Sequence, residues 1–344
     1  MFDASKVKVA ELATIADCKQ PVISRMFKSL EEPLIEKKNN RITGISPELI
    51  ESYFRKRGFN DLFKTTIILS NSTVGVTGKT STILAMAGSL KRITDRSKAV
   101  IMIDCDSQAS ATQTALGSAI SDDKPVLLDY FEGRASLDEV LYRVSNPEEN
   151  IFIIGSNLNN IYIDKHLNSP KAIKDSMAKL FKELISRFGE GCRIIVDTPP
   201  QLSTSTISRV CGISSMIKKG YDLQAHYIIP IRPDSYSLKG ASISVNEKTE
   251  ILETFDLPDI KTTCFLTAFD KRMKVGVEIM RQALQDDKLQ NLLSLVMVRY
   301  SSEISKASLD NKSIFSDSRA TPATKDYMDL TLYVLGYEGK QGHS

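Results

Sequence analysis

The stretch Thr65-Thr-Ile-Ile-Leu-Ser-Asn-Ser-Thr-Val-Gly-Val-Thr-Gly-Lys-Thr-Ser81 joins a β-forming apolar run to a loop that closes on Gly78-Lys79-Thr80. A Gly-Lys-Thr at the start of a helix offers phosphate a dipole end and backbone N–H groups. It adds an ammonium for the β/γ oxygens from Lys79 and a hydroxyl for Mg²⁺ from Thr80. Gly75, Val76, Thr77, Gly78, Lys79, Thr80 and Ser81 are therefore the candidate nucleotide-binding residues. The pattern G-x-x-x-x-G-K-[ST] asks for Gly at position 73, where this chain has Thr, so support has to come from elsewhere.

Two further strands supply it. Ala99-Val-Ile-Met-Ile-Asp-Cys-Asp106 and Arg193-Ile-Ile-Val-Asp-Thr-Pro-Pro200 are continuous apolar runs ending in carboxylates, the pattern of strands buried on both faces of a parallel sheet. The carboxyl ends of such strands are where an open α/β sheet binds its ligand. Any one of Asp104, Asp106 and Asp197 alone reads as a turn former. All three beside a Gly-Lys-Thr read as a site with a metal's water shell near Asp104 and Asp197.

On these residues the chain resembles the ParA family of partition ATPases, in the class that includes MinD and the nitrogenase iron protein. Val74-Gly-Val-Thr-Gly-Lys-Thr-Ser81 matches a variant (deviant) Walker A loop, Ile103-Asp-Cys-Asp-Ser-Gln-Ala-Ser-Ala-Thr112 matches the IDxDPQxxAT segment, and Val196-Asp-Thr-Pro-Pro200 matches Walker B. Ile228-Ile-Pro-Ile-Arg-Pro-Asp234, Ser237-Leu-Lys-Gly240 and Lys312-Ser-Ile-Phe315 follow in the family's order, and the resemblance spans residues 65 to 337. It implies ATP or ADP with Mg²⁺ as cofactors, Arg232 and Pro233 near the base, and slow ATP hydrolysis in which Lys79, Asp106 and Asp104 act and Asp106 orients the attacking water. It also implies ATP-driven homodimerisation, a ParB-type adaptor, and DNA bound without sequence preference.

One departure stands out. The family loop reads KGGxGK[ST], and its first Lys reaches across a nucleotide-sandwiched dimer; here that position is Val74, a second family glycine is Val76, and no lysine lies between Lys64 and Lys79. Slow hydrolysis, another cation such as Arg92 or Arg96, or a different dimer geometry are all open from the sequence.

With 344 residues, of which 42% are hydrophobic, two domains and an ample core are expected. The absence of a long apolar run or a leader pattern predicts a cytoplasmic, nucleoid-associated protein. Five cysteines without C-x-x-C spacing and only three histidines argue against disulfides, zinc or a histidine triad.

The charge surplus is local. Residues 1 to 60 hold 11 Lys+Arg against 8 Asp+Glu, while the rest of the chain is balanced. There Val9-Ala-Glu-Leu-Ala-Thr-Ile-Ala16 reads as one helix. A second opens at Pro21 with Ile23, Met26, Phe27 and Leu30 inward and Ser24, Arg25, Lys28 and Ser29 outward. A basic hairpin turning at Asn39-Asn40 follows, then a third helix from Ser46 that closes on Gly58. This reads as a winged helix-turn-helix resembling the extension of the larger, SopA-like partition ATPases, which repress their own operons. Gln20, Ser24, Arg25, Lys28 and Arg41 are its candidate operator contacts. The alternative is a dimerisation module with solvated charges.

Residues 261 to 325 carry 11 Lys+Arg and 7 Asp+Glu, so Arg272, Lys274, Arg299, Lys306 and Lys312 are candidates for non-specific DNA contacts. The expected organisation is α/β: a winged helix over 1–58, a link over 59–64, a doubly wound, mostly parallel P-loop domain over 65–337, and a disordered tail over 338–344. The tail lacks a basic amphipathic helix, so no membrane partner is expected.

Overall fold

Continuous runs of Ile, Val and Leu set the middle of the molecule. The computed structural model describes residues 6–16, 18–30, 33–144, 150–316 and 321–337; the expected tail over 338–344 lies outside them. The amino-terminal elements are α1 (Val9–Ile15), α2 (Gln20–Met26), β1 (Ile35–Lys38), β2 (Arg41–Ile45) and α3 (Pro47–Lys56). The following core runs β3 (Thr66–Ser70), α4 (Lys79–Ile93), β4 (Val100–Asp104), α5 (Ser110–Leu116), α6 (Leu127–Phe131), α7 (Leu137–Val140), β5 (Leu141–Arg143) and β6 (Ile151–Ile154). It continues through α8 (Ile163–His166), α9 (Pro170–Phe188), β7 (Arg193–Asp197), α10 (Thr204–Lys218), β8 (Gln224–Ile231), α11 (Ser235–Thr254) and β9 (Lys261–Leu266). α12 (Lys274–Gln285), α13 (Ser302–Leu309) and α14 (Pro322–Val334) complete it.

Seven strands form one sheet in the order β5-β6-β4-β7-β3-β8-β9, parallel throughout except for β5 against β6. Alternation of side chains splits its apolar residues between two layers: Ile68, Met102 and Ile195 face α4 and α14, while Ile67, Leu69, Ile103 and Val196 face α9 and α10. The three central strands are β4, β7 and β3. Their register sets Ser70 and Asp104 on either side of Asp197, so the carboxyl ends meet at one level. That alignment is what the sequence anticipates for the site.

The amino-terminal elements pack differently from a tethered module. Val7 and Ile45 exchange backbone hydrogen bonds of 2.9 and 2.8 Å, an isolated antiparallel bridge on the edge of the hairpin, and Asn39 and Asn40 both take positive φ at its turn. Leu12, Ile23 and Phe54 share one apolar cluster with Ile83 and Leu90 of α4 and Leu332 of α14. The expected link is a 3₁₀ turn, Asn60–Phe63, with Leu62 and Phe63 buried. Buried Arg193, at the start of β7, donates to the carbonyls of Leu62 and Lys64 and to Thr66 Oγ1, which ties that turn to the base of the sheet. The amino-terminal elements and the helices over this face of the sheet therefore share one apolar core.

α2 is also shorter than its periodicity predicts. It ends at Met26, whose side chain is half exposed, because Phe27 turns out of the helix to pack on Tyr53.

Candidate functional site

β3 ends in Ser70 and delivers the chain into the loop of residues 71–78. Thr198 Oγ1 donates to Ser70 O (2.7 Å) and Asn71 Oδ1 (2.9 Å), and Thr267 Oγ1 donates to Thr77 O at 2.9 Å, fixing both ends of the loop. In the middle, Thr73 Oγ1 donates to Gly240 O at 3.1 Å. A side chain at Gly240 would collide with Val74 Cγ2, so α11 admits Val74 only because position 240 is Gly. Val74 is a packing anchor on α11. Its neighbour Val76 is 83% exposed with φ +59°, a left-handed conformation costly for a β-branched residue.

α4 begins at Lys79 with Gly78 in the left-handed region, φ +94°. The Lys79 ammonium is buried and donates to Ser72 O (3.3 Å) and Val74 O (3.2 Å). Burial lowers its pKa, and the charges of Asp197 and Asp106 oppose that shift. Thr80 Oγ1 donates to Asp197 Oδ2 at 2.7 Å, while Asp197 Oδ1 is buried with no hydrogen-bond partner among the described residues.

Asp104, adjacent in the sheet, is fully spent. Its Oδ2 accepts from Thr112 N (2.9 Å) and Thr112 Oγ1 (2.8 Å), and its Oδ1 accepts from Asp106 N (3.1 Å). Burial raises the pKa of both Asp104 and Asp197; the charge of Asp106 adds to it at Asp104, and that of Asp104 adds to it at Asp197. Asp104 thus orients the turn that carries Asp106. Asp106 itself is partly exposed; its Oδ1 accepts from Gln108 N at 2.9 Å.

Two clefts flank the loop. One, of about 450 Å³, is lined by Gly75, Val76, Gly78, Lys79, Thr80, Ser81 and Asp106 together with Ile304 and Lys312. The other, of about 400 Å³, brings Thr77, Arg232 and Pro233 together with Thr267, Met273 and Tyr300. Val76, Gly78, Ser81, Ile304 and Tyr327 line both, so α13 spans the junction. The dimensions suit a triphosphate at one end and a base at the other. Thr267, Ile304 and Tyr327 carried no signal in the sequence, since each meets the loop from a distant part of the chain, whereas Thr112 lies within the matched 103–112 segment.

The expected DNA contacts divide. Gln20, Arg25, Lys28 and Arg41 are exposed on α2, the turn after it and the hairpin, with Ser24 half-buried beside them; Lys274 and Lys306 are exposed as well. Arg272 is held by Asp270 at 2.7 Å, and this guanidinium keeps the Asp270 carboxyl down at about 2. Arg299 pairs with nearly buried Asp326 at 2.7 Å and also donates its backbone N–H to it, at 3.0 Å. Both arginines thus already carry a carboxylate partner in the free chain. Lys312 is exposed and lines the first of the two clefts. The cations considered as substitutes for the missing lysine are also placed elsewhere: Arg92 is buried against Glu11, and Arg96 is 3.6 Å from Glu48.

A mostly parallel sheet in which β3 feeds a phosphate-type loop and a helix, with carboxylates ending the next two strands in order, β7 and β4, defines a P-loop nucleoside triphosphatase fold. A family profile described as an AAA domain matches residues 64–258, and the chain belongs to the ParA/MinD-type P-loop ATPase family. It is 23% identical over 269 residues to a ParA family protein of Chlamydia trachomatis, covering 78% of this chain and 96% of that one. It is 24% identical to the cell division protein PomZ of Myxococcus xanthus, covering 74% of this chain and 72% of the other. Among solved structures, a Cyanothece McdA–ATP complex superposes with TM-score 0.64 at 17% identity, covering 80% of this chain and 98% of that chain. The septum site-determining protein MinD of Pyrococcus horikoshii with Mg-ADP gives 0.55 at 17% identity, covering 78% and 96%. Among the described residues no helix is long and apolar enough to cross a membrane.

Proposed function

We propose that this chain is a DNA-partition ATPase with a deviant Walker A loop. On this reading it dimerises with ATP, binds DNA non-specifically through its ATPase core, and represses its own operon through a winged helix-turn-helix over residues 1–58. A ParB-type adaptor is its partner, and it works in the cytoplasm on the nucleoid. The observation that carries the nucleotide part is the convergence of Lys79, Thr80, Asp106 and Asp197 at one end of the sheet. Relatives and structural neighbours named for partition, cell division and septum positioning support the cellular part.

The residues fit Mg²⁺ with ATP or ADP. The buried, unpartnered Asp197 Oδ1 and the Thr80 hydroxyl beside it form an oxygen donor set. Thr80 would hold the ion directly and Asp197 through water, with Asp104 behind them. Mg²⁺ held there would supply positive charge beside the phosphate oxygens. Lys79 turns from its own loop carbonyls to those oxygens, and the backbone N–H groups of 75–80 surround them. Asp106 accepts a hydrogen bond from the attacking water and fixes its direction. Tyr300, Met273 and Pro233 flank the base.

A second reading, a nucleotide-gated DNA-binding regulator with little hydrolysis, is favoured by Val74, which packs on α11 where the family has its first lysine. Steady-state ATP hydrolysis with Mg²⁺, with and without duplex DNA, separates the two for the native chain and Val74→Lys. Turnover raised by DNA in the native chain supports the partition ATPase. Tight ATP binding with no turnover until lysine is restored supports the regulator.

A further inference from the structure

We infer that Lys312 supplies, from within the same chain, the second cation of the phosphate site that the loop lacks at Val74. This rests on the nucleotide reading above. Lys312 lines the same cleft as Gly78, Lys79, Thr80 and Asp106, and no carboxylate pairs with it among the described residues, whereas Arg299 and Arg272 are each held by an aspartate. Its backbone is fixed. Lys312 N donates to Ala307 O at 2.8 Å, closing the end of α13, and Phe315 N donates to Ser313 Oγ at 3.1 Å.

Three residues on, Phe315 is fully buried against α4, the helix that starts at Lys79. The approach is so close that a methyl group at Gly88 would lie 2.7 Å from the Phe315 ring, and the Arg92 guanidinium covers the same ring with its centre 4.9 Å from the centroid. Phe315 therefore pins the segment to the phosphate-binding helix, and Lys312 projects from a rigid base toward a cleft holding several phosphate charges. A long, exposed ammonium with no competing anion is suited to that task, and it needs no second subunit to reach it.

The test is equilibrium binding of Mg-ATP and Mg-ADP to the full-length chain, compared with Lys79→Gln, Lys312→Gln and Lys312→Arg, with thermal unfolding of each confirming the fold. The expected result is ATP affinity about tenfold weaker for Lys312→Gln, a smaller loss for ADP, and recovery in Lys312→Arg. ATP affinity within twofold of native in Lys312→Gln, while Lys79→Gln loses it, overturns the role of Lys312 and leaves the nucleotide site standing. Equal ATP affinity in Lys79→Gln and the native chain overturns the nucleotide site itself. Loss of duplex DNA binding by Lys312→Gln at native ATP affinity returns Lys312 to a DNA contact and also overturns the inference.

Discussion

Glu11 on α1 and Arg92 near the end of α4 form an ion pair of 3.1 Å with side chains 8% and 3% exposed. α4 begins at Lys79, so the helix that opens at the phosphate loop ends inside the amino-terminal elements. Two more contacts reinforce the junction: Asp95 N donates to Glu51 Oε2 at 2.8 Å, and Arg96 N donates to Glu48 Oε1 at 3.4 Å. The amino-terminal elements and the nucleotide core thus share one rigid rod.

Removing one partner of such a pair leaves a charge in a poorly solvated place. Glu11→Gln is expected to destabilise the whole chain by about 3 kcal/mol, in the range for breaking a buried pair. Urea unfolding followed by two probes, one on each side of the junction, should show both transitions moving together. Loss of the amino-terminal signal alone, with the core transition unchanged, would show that the two parts unfold independently.

The basic residues predict a contrast. Arg25 and Lys28 are exposed and no ion pair holds them among the described residues, so Arg25→Ala or Lys28→Ala should weaken operator binding by about 1 kcal/mol each with ATP affinity unchanged. Arg299→Ala should instead lower stability, because Asp326 is left nearly buried without its guanidinium, and should barely change the salt slope of DNA binding. Fluorescence anisotropy with operator and random duplexes reads both effects. An Arg299→Ala slope as reduced as that of Arg25→Ala would restore Arg299 as a phosphate contact.

His226 on β8 is buried with neither ring nitrogen hydrogen-bonded among the described residues, and burial, aided by the charges of Lys261 and Arg193, pushes its pKa down to about 3. The unfolded chain takes up this proton near pH 6.5, whereas the folded chain does so only near 3. The contribution of His226 to stability is therefore complete above pH 6.5 and falls on acidification by about 1.4 kcal/mol per pH unit. The raised pKa values of Asp104 and Asp197 have the opposite sign, so the informative quantity is the difference between native and His226→Leu stability. That difference should change steadily between pH 6.5 and 5; parallel curves would show that His226 finds solvent or a partner.

Much of the core was legible because its signal is local. The runs at 99–104 and 193–197 are too uniformly apolar for anything but doubly covered strands, and carboxylates at their ends fall at one level through the parallel register. Pro21 and the Asn39-Asn40 turn likewise act through their own backbones. What stayed hidden depends on pairing across the fold. Nothing in the sequence near Arg299 names Asp326, nothing near Val74 names Gly240, and nothing in residues 59–64 shows that Arg193 will hold them. Met26 fits the apolar stripe of α2 by spacing, yet it lies outside because that helix stops there.

Nucleotide-controlled DNA binding is the claim on which the proposed function turns. The most direct measurement is the affinity of the full-length chain for random duplex DNA across a salt series, with Mg-ATP and without nucleotide. The prediction is binding that needs Mg-ATP and weakens linearly in log affinity against log salt, as counterions compete for the phosphates. Equal DNA affinity with and without Mg-ATP, at every salt concentration, would contradict it.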